Sequence, residues 1–436
     1  MQDGATYVRV ACERLRPGMR LFEFTDRNLD REASPEPAAL ARISLGWHPL
    51  IGRDRRPVGA RLTLNGAGAA AEAPTLSVLL DGVLAGLAFE SEGELVFPHG
   101  LMVLSPQGIV LDAAMSGWSA PRNVLLELGQ CDLDDERRVR QMFDIQKQGV
   151  RIALRLDEPT APQPERLQGF QYLVGRSPQL LPPGTDPTQY SILALDAATP
   201  GQVEASFAAG AHATVGWPLA AVPQREPQGL SPAQTAVFEL IRLVQADADV
   251  RDLERVFKAE PLLAYLLLTL ANSSAYRRPT PVASLGHAIS LLGYQRLIKW
   301  LVLLLAMAGK DKSTTPLVYV AVARGYLIEN LCAAAGRTRS ERDDGFVVGA
   351  FSLLDAITGQ SLLDLLHDIR LPEAVVDALL GAAGPCAPLL EIARGFEAAD
   401  PLTVARIKAE LNVDPVDANR ALLQALAAAD ALQALM

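Results

Sequence analysis

Cysteine is scarce in this sequence, and its four residues are far apart. Cys12, Cys131, Cys332 and Cys386 form no CxxC or CxxxC pair. A disulfide framework or a zinc finger needs paired or closely spaced cysteines, so the sequence predicts neither. We expect reduced thiols with structural roles, as is typical of a cytoplasmic protein.

Long unbroken apolar segments are also missing. The densest run, residues 300–308 (WLVLLLAMA), is about half of the roughly 20 residues needed to cross a bilayer. The first residues, MQDGATYVRVACERLRPG, lack the apolar core of a signal peptide. We therefore expect a cytoplasmic location and no membrane partner.

Basic residues are in deficit, with 40 Lys and Arg against 50 Asp and Glu, a formal net charge of −10 and a pI near 5.2. Such a balance argues against a surface that neutralises phosphates, so we expect no nucleic-acid partner. Aromatic residues make up only 6%, but 49% of the 436 residues are hydrophobic. A chain of this length can bury a large core and fits two or three domains.

Glycine and proline are abundant, and they mark a division of the chain. Residues 222–232 (VPQREPQGLSP) carry three of the prolines together with a glycine. Short apolar runs precede this segment and long runs with helical spacing follow it. The sequence predicts an N-terminal extension at 1–40 with edge strands at 7–11 and 19–24, a first domain at 41–225 and a second at 230–436. Because the linker has no apolar periodicity to bury, we expect the two domains to be separable folding units.

The first domain alternates strand-like and helix-like segments. Helices are predicted at 132–148 and 200–209. Strands are predicted around Ile43 and at 61–65, 100–105, 123–128, 150–156, 170–174 and 190–195. Alternation of this kind, with continuous apolar runs such as NVLLEL, indicates an α/β fold built on parallel strands.

The second domain is predicted to be an all-α bundle. Its helices are expected at 231–245, 250–259, 261–273, 294–307, 316–335, 343–357, 372–380, 389–397, 401–411 and 416–436. Asp249 is a predicted N-cap, and Gly293 a predicted stop for a preceding helix through Leu292. The last segment, rich in Ala and Leu, suits either a helix that docks in the core or one that forms a homodimer.

Candidate catalytic residues are few. The five histidines form no HxH or HExxH pair, and we interpret them as isolated, which predicts no paired-ligand metal site. The glycine-rich residues 65–74 lack the GKS or GKT of a phosphate loop and are interpreted as an ordinary loop. His287 and Asp355 are expected to be structural, with His287 in a buried hydrogen bond. The four tryptophans, Trp47, Trp118, Trp217 and Trp300, are expected to be core or interface residues.

A family resemblance is carried by residues 243–304. EPLLAYLLLTLANSS, a proline-containing turn and SLGHAISLLG follow one another there, and VVGAFSLLDAITGQSL and LPEAVVDALL follow later. This pattern resembles an HDOD domain over about 230–430, the all-helical relative of HD phosphohydrolases without their metal ligands. The resemblance places Ser352 and Leu353 where the His-Asp pair would stand, which implies no hydrolysis here.

The first domain resembles, more weakly, an EAL domain, the TIM-type barrel of cyclic di-GMP phosphodiesterases. The resemblance rests on WHPLIGRDRRPVGARLTLN, NVLLELGQ, GVRIALRLDEP, QYLVG, LALDAAT and VGWPL. It keeps Glu127 at a family glutamate but puts Arg61 at the signature metal-binding glutamate. Other family positions that bind metal or substrate fall on Val103, Arg155, Leu156, Val174, Leu195, Ala198 and Val215. The resemblance therefore implies a barrel that has lost most of its carboxylate ligands.

Together these observations predict a degenerate EAL-like barrel followed by an HDOD domain, with no catalytic, cofactor-binding or metal-binding residue and no cofactor. We expect a non-enzymatic bacterial signalling or regulatory protein that contacts unidentified signalling proteins and does not bind cyclic di-GMP. Whether the protein forms a homodimer is left open by the sequence. The alternatives are a cyclic di-GMP sensor and a residual phosphodiesterase.

Overall fold

The computed structural model describes residues 37–66, 75–91, 94–96, 98, 100–108, 111, 115, 118–156, 167–218, 232–272, 282, 284–307, 314–367, 371–382 and 384–433. The predicted edge strands at 7–11 and 19–24, most of the glycine-rich loop at 65–74 and all but the last residue of the linker at 222–232 lie outside them.

The N-terminal half is a closed barrel. Its strands are β1 (Ile43–Gly52), β2 (Pro57–Gly66), β5 (Leu101–Gln107), β6 (Val124–Gly129), β7 (Arg151–Arg155), β8 (Tyr172–Arg176), β9 (Ser191–Leu195) and β10 (Ala213–Val215). They follow one another round the barrel in the order β1-β10-β9-β8-β7-β6-β5-β2. A separate hairpin is formed by β3 (Phe89–Ser91) and β4 (Glu94–Val96). All seven predicted strand segments form barrel strands. The eighth strand, β10, was not predicted, because three residues are too few to show an alternation of apolar and polar side chains.

The expectation of parallel strands holds for most of the barrel. Neighbours from β2 round to β10 are parallel, but β1 is antiparallel to both β2 and β10. The physical reason is the short connection at 53–56, which turns the chain straight back, as only antiparallel strands allow. This closed eight-stranded barrel is compatible with a TIM-type fold.

Side chains alternate between the inside and the outside of the barrel. An apolar cluster fills much of the inside and comprises Leu50, Val103, Leu125, Ala153, Val174, Leu193, Leu195, Ala213 and Val215. The residues between them, such as Leu104, Leu126 and Leu154, belong to the main core outside the strands. The continuous apolar run in NVLLEL is thus explained by burial on both faces.

Among the described residues of the N-terminal half there are four α-helices: α1 (Pro37–Leu40), α2 (Leu76–Leu87), α3 (Glu136–Lys147) and α4 (Pro200–Ala208). The predicted helix at 132–148 begins later than expected, because residues Gln130–Asp134 form a 3-10 turn and the Asp135 carboxylate caps α3 by accepting from the Arg137 N–H. The start of α4 has a capping box formed by Thr199 and Gln202. We did not predict α2.

The C-terminal half is helical, as expected. Its helices are α5 (Pro232–Gln245), α6 (Val250–Ala259), α7 (Pro261–Ala271), α8 (Leu285–Met307), α9 (Thr315–Ala334), α10 (Arg339–Phe351), α11 (Leu354–Thr358), α12 (Leu362–His367), α13 (Glu373–Leu379), α14 (Ala387–Glu397), α15 (Thr403–Leu411) and α16 (Pro415–Gln433). Asp249 caps α6 by accepting from the Arg251 N–H at 2.9 Å, and Gly293 interrupts α8 with a φ of 73°. Both predictions at these residues are confirmed.

One predicted helix, at 343–357, is in fact two. α10 ends at Phe351, and the Ser352 hydroxyl donates a 2.7 Å hydrogen bond back to the Gly349 carbonyl before α11 starts at Leu354. This side chain satisfies a carbonyl at the end of α10 and so allows the break.

Among the described residues one helix, α9, is long and apolar enough to cross a bilayer, although 83% of its most apolar window is buried in the protein. It packs against α10 and α16 and contains the buried charges Arg324 and Glu329. The densest apolar run of the sequence, at 300–308, instead forms the last turns of α8 as far as Met307, and residue 308 lies outside the described residues.

Burial decides the two remaining interpretations of apolar residues. Trp47, Trp118 and Trp300 are buried, and Trp217 packs partly buried against the same core, which confirms their structural interpretation. The C-terminal α16 is a core-docking helix. Its buried residues include Ala418, Ala421, Leu422, Leu423, Ala425 and Leu426.

Candidate functional site

An arginine-glutamate ion pair lies inside the barrel, toward the carboxyl ends of the parallel strands. Arg61 projects from β2 and Glu127 from β6. The guanidinium is bidentate: Nε donates to Oε2 at 2.6 Å and Nη2 donates to Oε1 at 2.7 Å. Only 8% of Arg61 and 1% of Glu127 are exposed. This end of an eight-stranded α/β barrel is where active sites of such folds lie.

Further donors surround the Glu127 carboxylate. The Ser105 hydroxyl donates to Oε1 at 2.8 Å, and Arg155 Nη1 donates to the same oxygen at 3.1 Å. Arg61 in turn donates to the oxygens of Thr63 and Ser105 at 3.1 and 2.8 Å. The carboxylate oxygens thus accept four hydrogen bonds from protein donors, which leaves little capacity for a metal ion.

These contacts determine the charge of Glu127. Burial alone would raise its pKa, but the hydrogen bond and charge of Arg61, the Ser105 hydroxyl and the charge of Arg155 outweigh burial and lower the pKa. Glu127 is therefore ionised and held by two guanidinium groups, so these three side chains together carry one net positive charge.

His48 belongs to the same region, since it lies opposite Arg61 in the β1-β2 pairing. Burial, and to a lesser extent the positive charge of Arg61, lower the pKa of His48 to about 4, although the Asp196 carboxylate partly opposes them. The imidazole is neutral at physiological pH, and its Nδ1 has no partner among the described residues. We did not single out His48 from the sequence. The pairing of β1 with β2, which places His48 opposite Arg61, is the feature that would have identified it.

The other positions of the EAL resemblance separate into two groups. Val103, Val174, Leu195 and Val215 lie in the apolar cluster inside the barrel, where they offer no ligand to a cation. Two further positions do not face the interior as the alignment implied. Leu156 packs in the core outside the strands because Arg155 takes the inward position, and Ala198 is exposed, with its N–H bonded to the Gln202 side chain.

The helical half has its own ion pair, which is largely buried. Arg324 of α9 is bidentate with Glu397 of α14, with Nε to Oε1 at 2.5 Å and Nη2 to Oε2 at 2.7 Å. Its Nη1 donates to the Ser352 hydroxyl at 2.9 Å, at the position that we matched to the family's His-Asp pair. A guanidinium thus lies against Ser352, and Leu353 is buried. We found neither Arg324 nor Glu397 from the sequence, because their pairing joins residues 73 positions apart.

The structure and the sequence revise the expectations for His287, Asp355 and His367. His287 is exposed, and the Ser284 hydroxyl contacts its backbone N–H rather than the imidazole, so the expected buried hydrogen bond is wrong. Asp355 is also exposed, although its carboxylate does find a structural partner in the Ala356 N–H at 2.8 Å. The interpretation of all histidines as isolated is wrong for His367, which Asp368 follows directly.

The His367-Asp368 pair occurs in LLHDI, a pattern that a search for such dipeptides finds at once. The placement of the two side chains lies outside what the structure describes. Within the described residues, no group of three or more His, Cys, Asp or Glu could hold a metal ion.

Residues 230–358 match the model of the HDOD domain. The match confirms the predicted HDOD resemblance for these residues and does not extend to the barrel. The molecule is therefore a two-part protein, a closed eight-stranded barrel followed by a helical region that contains an HDOD domain.

Two curated relatives match part of the chain. One, named cyclic di-GMP phosphodiesterase CdgJ, from Vibrio cholerae serotype O1, is 28% identical over 197 residues, which are 45% of either chain. The other, the uncharacterised protein YuxH of Bacillus subtilis strain 168, is 25% identical over 165 residues, which are 37% of this chain and 40% of YuxH. The matches thus span less than half the length of these relatives. No solved structure gives a significant match.

Proposed function

We propose that this protein is a signal-transduction protein that acts through protein contacts, with a catalytically inactive, EAL-like barrel and a metal-free HDOD domain. The similarity to a relative named as a cyclic di-GMP phosphodiesterase supports a place in cyclic di-GMP signalling. The HDOD match supports a domain without hydrolytic metal ligands.

The bidentate contact between Arg61 and Glu127 carries the proposal. Phosphodiester hydrolysis of the EAL type needs divalent cations held by hard oxygen ligands and a base for the attacking water. Here a guanidinium supplies the positive charge beside Glu127, and the carboxylate's hydrogen-bonding capacity is used by protein donors. A cation brought to this site would meet two arginine charges.

A second candidate function, a cyclic di-GMP sensor, is favoured by one observation. The cluster combines two guanidiniums with one carboxylate, and the neighbouring His48 is neutral, so the cluster carries one net positive charge. A positive site attracts phosphate groups without cleaving them. A residual phosphodiesterase is the third reading.

Metal analysis and hydrolysis assays test the inactive barrel. We expect the full chain, purified with Mg²⁺ and Mn²⁺ present, to hold no stoichiometric divalent metal and to leave cyclic di-GMP intact. Glu127→Ala and His367→Ala serve as matched variants. Turnover abolished by Glu127→Ala would contradict the proposal for the barrel, and turnover abolished by His367→Ala would place activity in the helical half.

Equilibrium titration separates the signalling protein from the sensor. We expect no saturable binding of cyclic di-GMP by the full chain. Saturable binding that Arg155→Met weakens, but that the exposed Arg140→Met leaves unchanged, would establish the sensor instead. The proposed action through protein contacts has its own test. Affinity capture with the full chain should recover a defined signalling protein, and failure to recover one with a folded bait would count against the proposal.

A further inference from the structure

The β1-β2 hairpin has two faces with different neighbours. Its inner face carries His48 and Arg61, while its outer face carries Leu45, Trp47 and Leu62, which are almost completely buried. Most helices that contact this hairpin come from the other half of the chain. They are α9, α14, α15 and α16, and α1 of the N-terminal half also contacts β1.

Asn419 of α16 makes the most specific contact across the two halves. Its side-chain oxygen accepts from the Leu45 N–H at 3.2 Å, and its amide donates to the Leu40 and Ile43 carbonyls at 2.8 Å each. The residue is fully buried, so each of these backbone groups would lose its partner without it.

Close backbone approach also joins the two halves, at Gly46 and Asn65, which strand alternation puts on the same side of the hairpin as His48 and Arg61. A Cβ on Gly46 of β1 would lie 2.4 Å from Ala399, so the hairpin meets the turn after α14 at a distance that only glycine permits. Asn65 donates to the carbonyl of the same Ala399 at 3.1 Å. The rings of Trp47 and Tyr319 meet edge to face with centroids 6.2 Å apart.

The hydrophobic core is also continuous across the division. A single buried cluster includes Leu45, Leu62 and Leu80 of the N-terminal half together with Leu327, Phe396 and Leu423 of the helical half. From the composition of the linker we expected separable units, but linker composition says nothing about the surfaces that the two halves bury against each other.

We infer that the barrel and the helical half form one cooperative unit, in which α14 and α16 act as an outer layer of the barrel and hold the β1-β2 hairpin. The hairpin carries Arg61 on its inner face, so a displacement of α14 or α16 changes the position of the ion cluster. The interface is thus a conformational link between the HDOD-containing half and the inside of the barrel.

Three asparagines of similar bonding provide a matched test. Asn419 joins the halves, Asn272 bonds within the helical half to both backbone groups of Val282 and to the Leu268 carbonyl, and Asn123 bonds within the barrel region to the Pro98 and Gly100 carbonyls. Each is changed to Ala in the full chain. Hydrogen exchange is then followed by mass spectrometry in β6 and β7 and in α9, where the slowest amides report global unfolding.

If the two halves form one cooperative unit, each variant accelerates the slowest exchange by the same factor in the barrel as in α9. For Asn419→Ala this factor is roughly 100-fold, because three buried backbone groups lose their partners. If Asn419→Ala does not fold, the milder Asn65→Ala replaces it. The inference is overturned if Asn272→Ala accelerates exchange in α9 alone and Asn123→Ala in the barrel alone, because independent halves would respond in this way.

Discussion

The Arg61-Glu127 pair shows how one residue changes the chemistry of a site. A buried carboxylate is stable only when its charge is compensated, and here the compensation comes from a side chain of the same protein. The two charges support each other, so removing one is more damaging than removing both.

Arg61→Met should therefore destabilise the protein by roughly 3 kcal/mol, because Glu127 is left buried with only part of its positive partners. The double variant Arg61→Met, Glu127→Leu should recover part of this loss. Urea denaturation measures both. A double variant less stable than the sum of the two single variants would contradict the argument.

The pH dependence of this pair has a definite sign. The pKa of Glu127 is lowered from its ordinary value of 4.5 in the folded protein. Its stabilising contribution is thus complete above pH 4.5 and is lost as the pH falls through the lower folded pKa. Glu127→Gln should flatten the acid limb of a plot of unfolding free energy against pH, whereas an unchanged limb would show that other carboxylates dominate it.

Asp343 has the opposite behaviour. Lys299 donates to Glu329 Oε1 at 2.5 Å and lies over the Tyr326 and Phe346 rings, and Asp343 of α10 lies in the same charged environment. Burial raises the pKa of Asp343 to about 6, with Glu329 adding to the rise and Lys299, Arg339 and Arg342 opposing it. The folded protein therefore binds this proton more readily than the unfolded chain.

As the pH rises from about 4 to about 6, Asp343 should lower the stability, and above that range the loss is complete. Asp343→Asn should then stabilise the protein at pH 8 by roughly 1–2 kcal/mol after allowance for solvent screening, and change little at pH 4. The exposed Asp364→Asn is the control. Equal effects of Asp343→Asn at both pH values would rule out the raised pKa.

At the scale of elements, the contact between α9 and α10 depends on small residues. A Cβ on Gly349 would lie 2.5 Å from backbone atoms of Arg324 and Gly325. The two helix backbones therefore approach so closely that a side chain at position 349 would push α9 and α10 apart. The same close packing holds Arg324 next to Ser352.

Gly349→Ala should destabilise the protein by about 2–3 kcal/mol, as overpacking of a core does. Gly286→Ala in α8 is the matched control, since its Cβ would crowd the flexible Glu254 carboxylate and meet Val250 Cγ1 only at an ordinary 3.5 Å, and alanine favours a helix by up to about 1 kcal/mol. Thermal melts of the two variants compare them. Equal destabilisation would mean that helix approach is not the cause.

At the scale of the whole molecule, the interface can be tested without the covalent linker. A protease site engineered between 222 and 232 allows the purified chain to be cut once. Because the halves share a buried core and the Asn419 contacts, we expect the two fragments to co-elute in gel filtration after cleavage. Separate elution of two folded fragments would restore the interpretation as independent units.

The sequence by itself determined much of the local structure of this protein, although it did not predict the 12-residue α2. Strand runs such as NVLLEL and helix signals such as Asp249 and Gly293 predicted their elements, because they rest on backbone preferences over a few residues. A resemblance carried by an uninterrupted stretch also predicted the HDOD domain. Short elements such as β10 and α12 were missed, since they span too few residues to show a period.

Only the tertiary structure decided which distant residues meet. Arg61 and Glu127 are 66 positions apart, and Leu45 and Asn419 are 374 apart, so no local pattern could pair them. It also decided that the apolar face of α16 packs inside the chain, which periodicity left open between a core helix and a dimer helix. The physical reason is that burial and ion pairing depend on what the folded chain brings together, whereas periodicity reports only that a face is apolar.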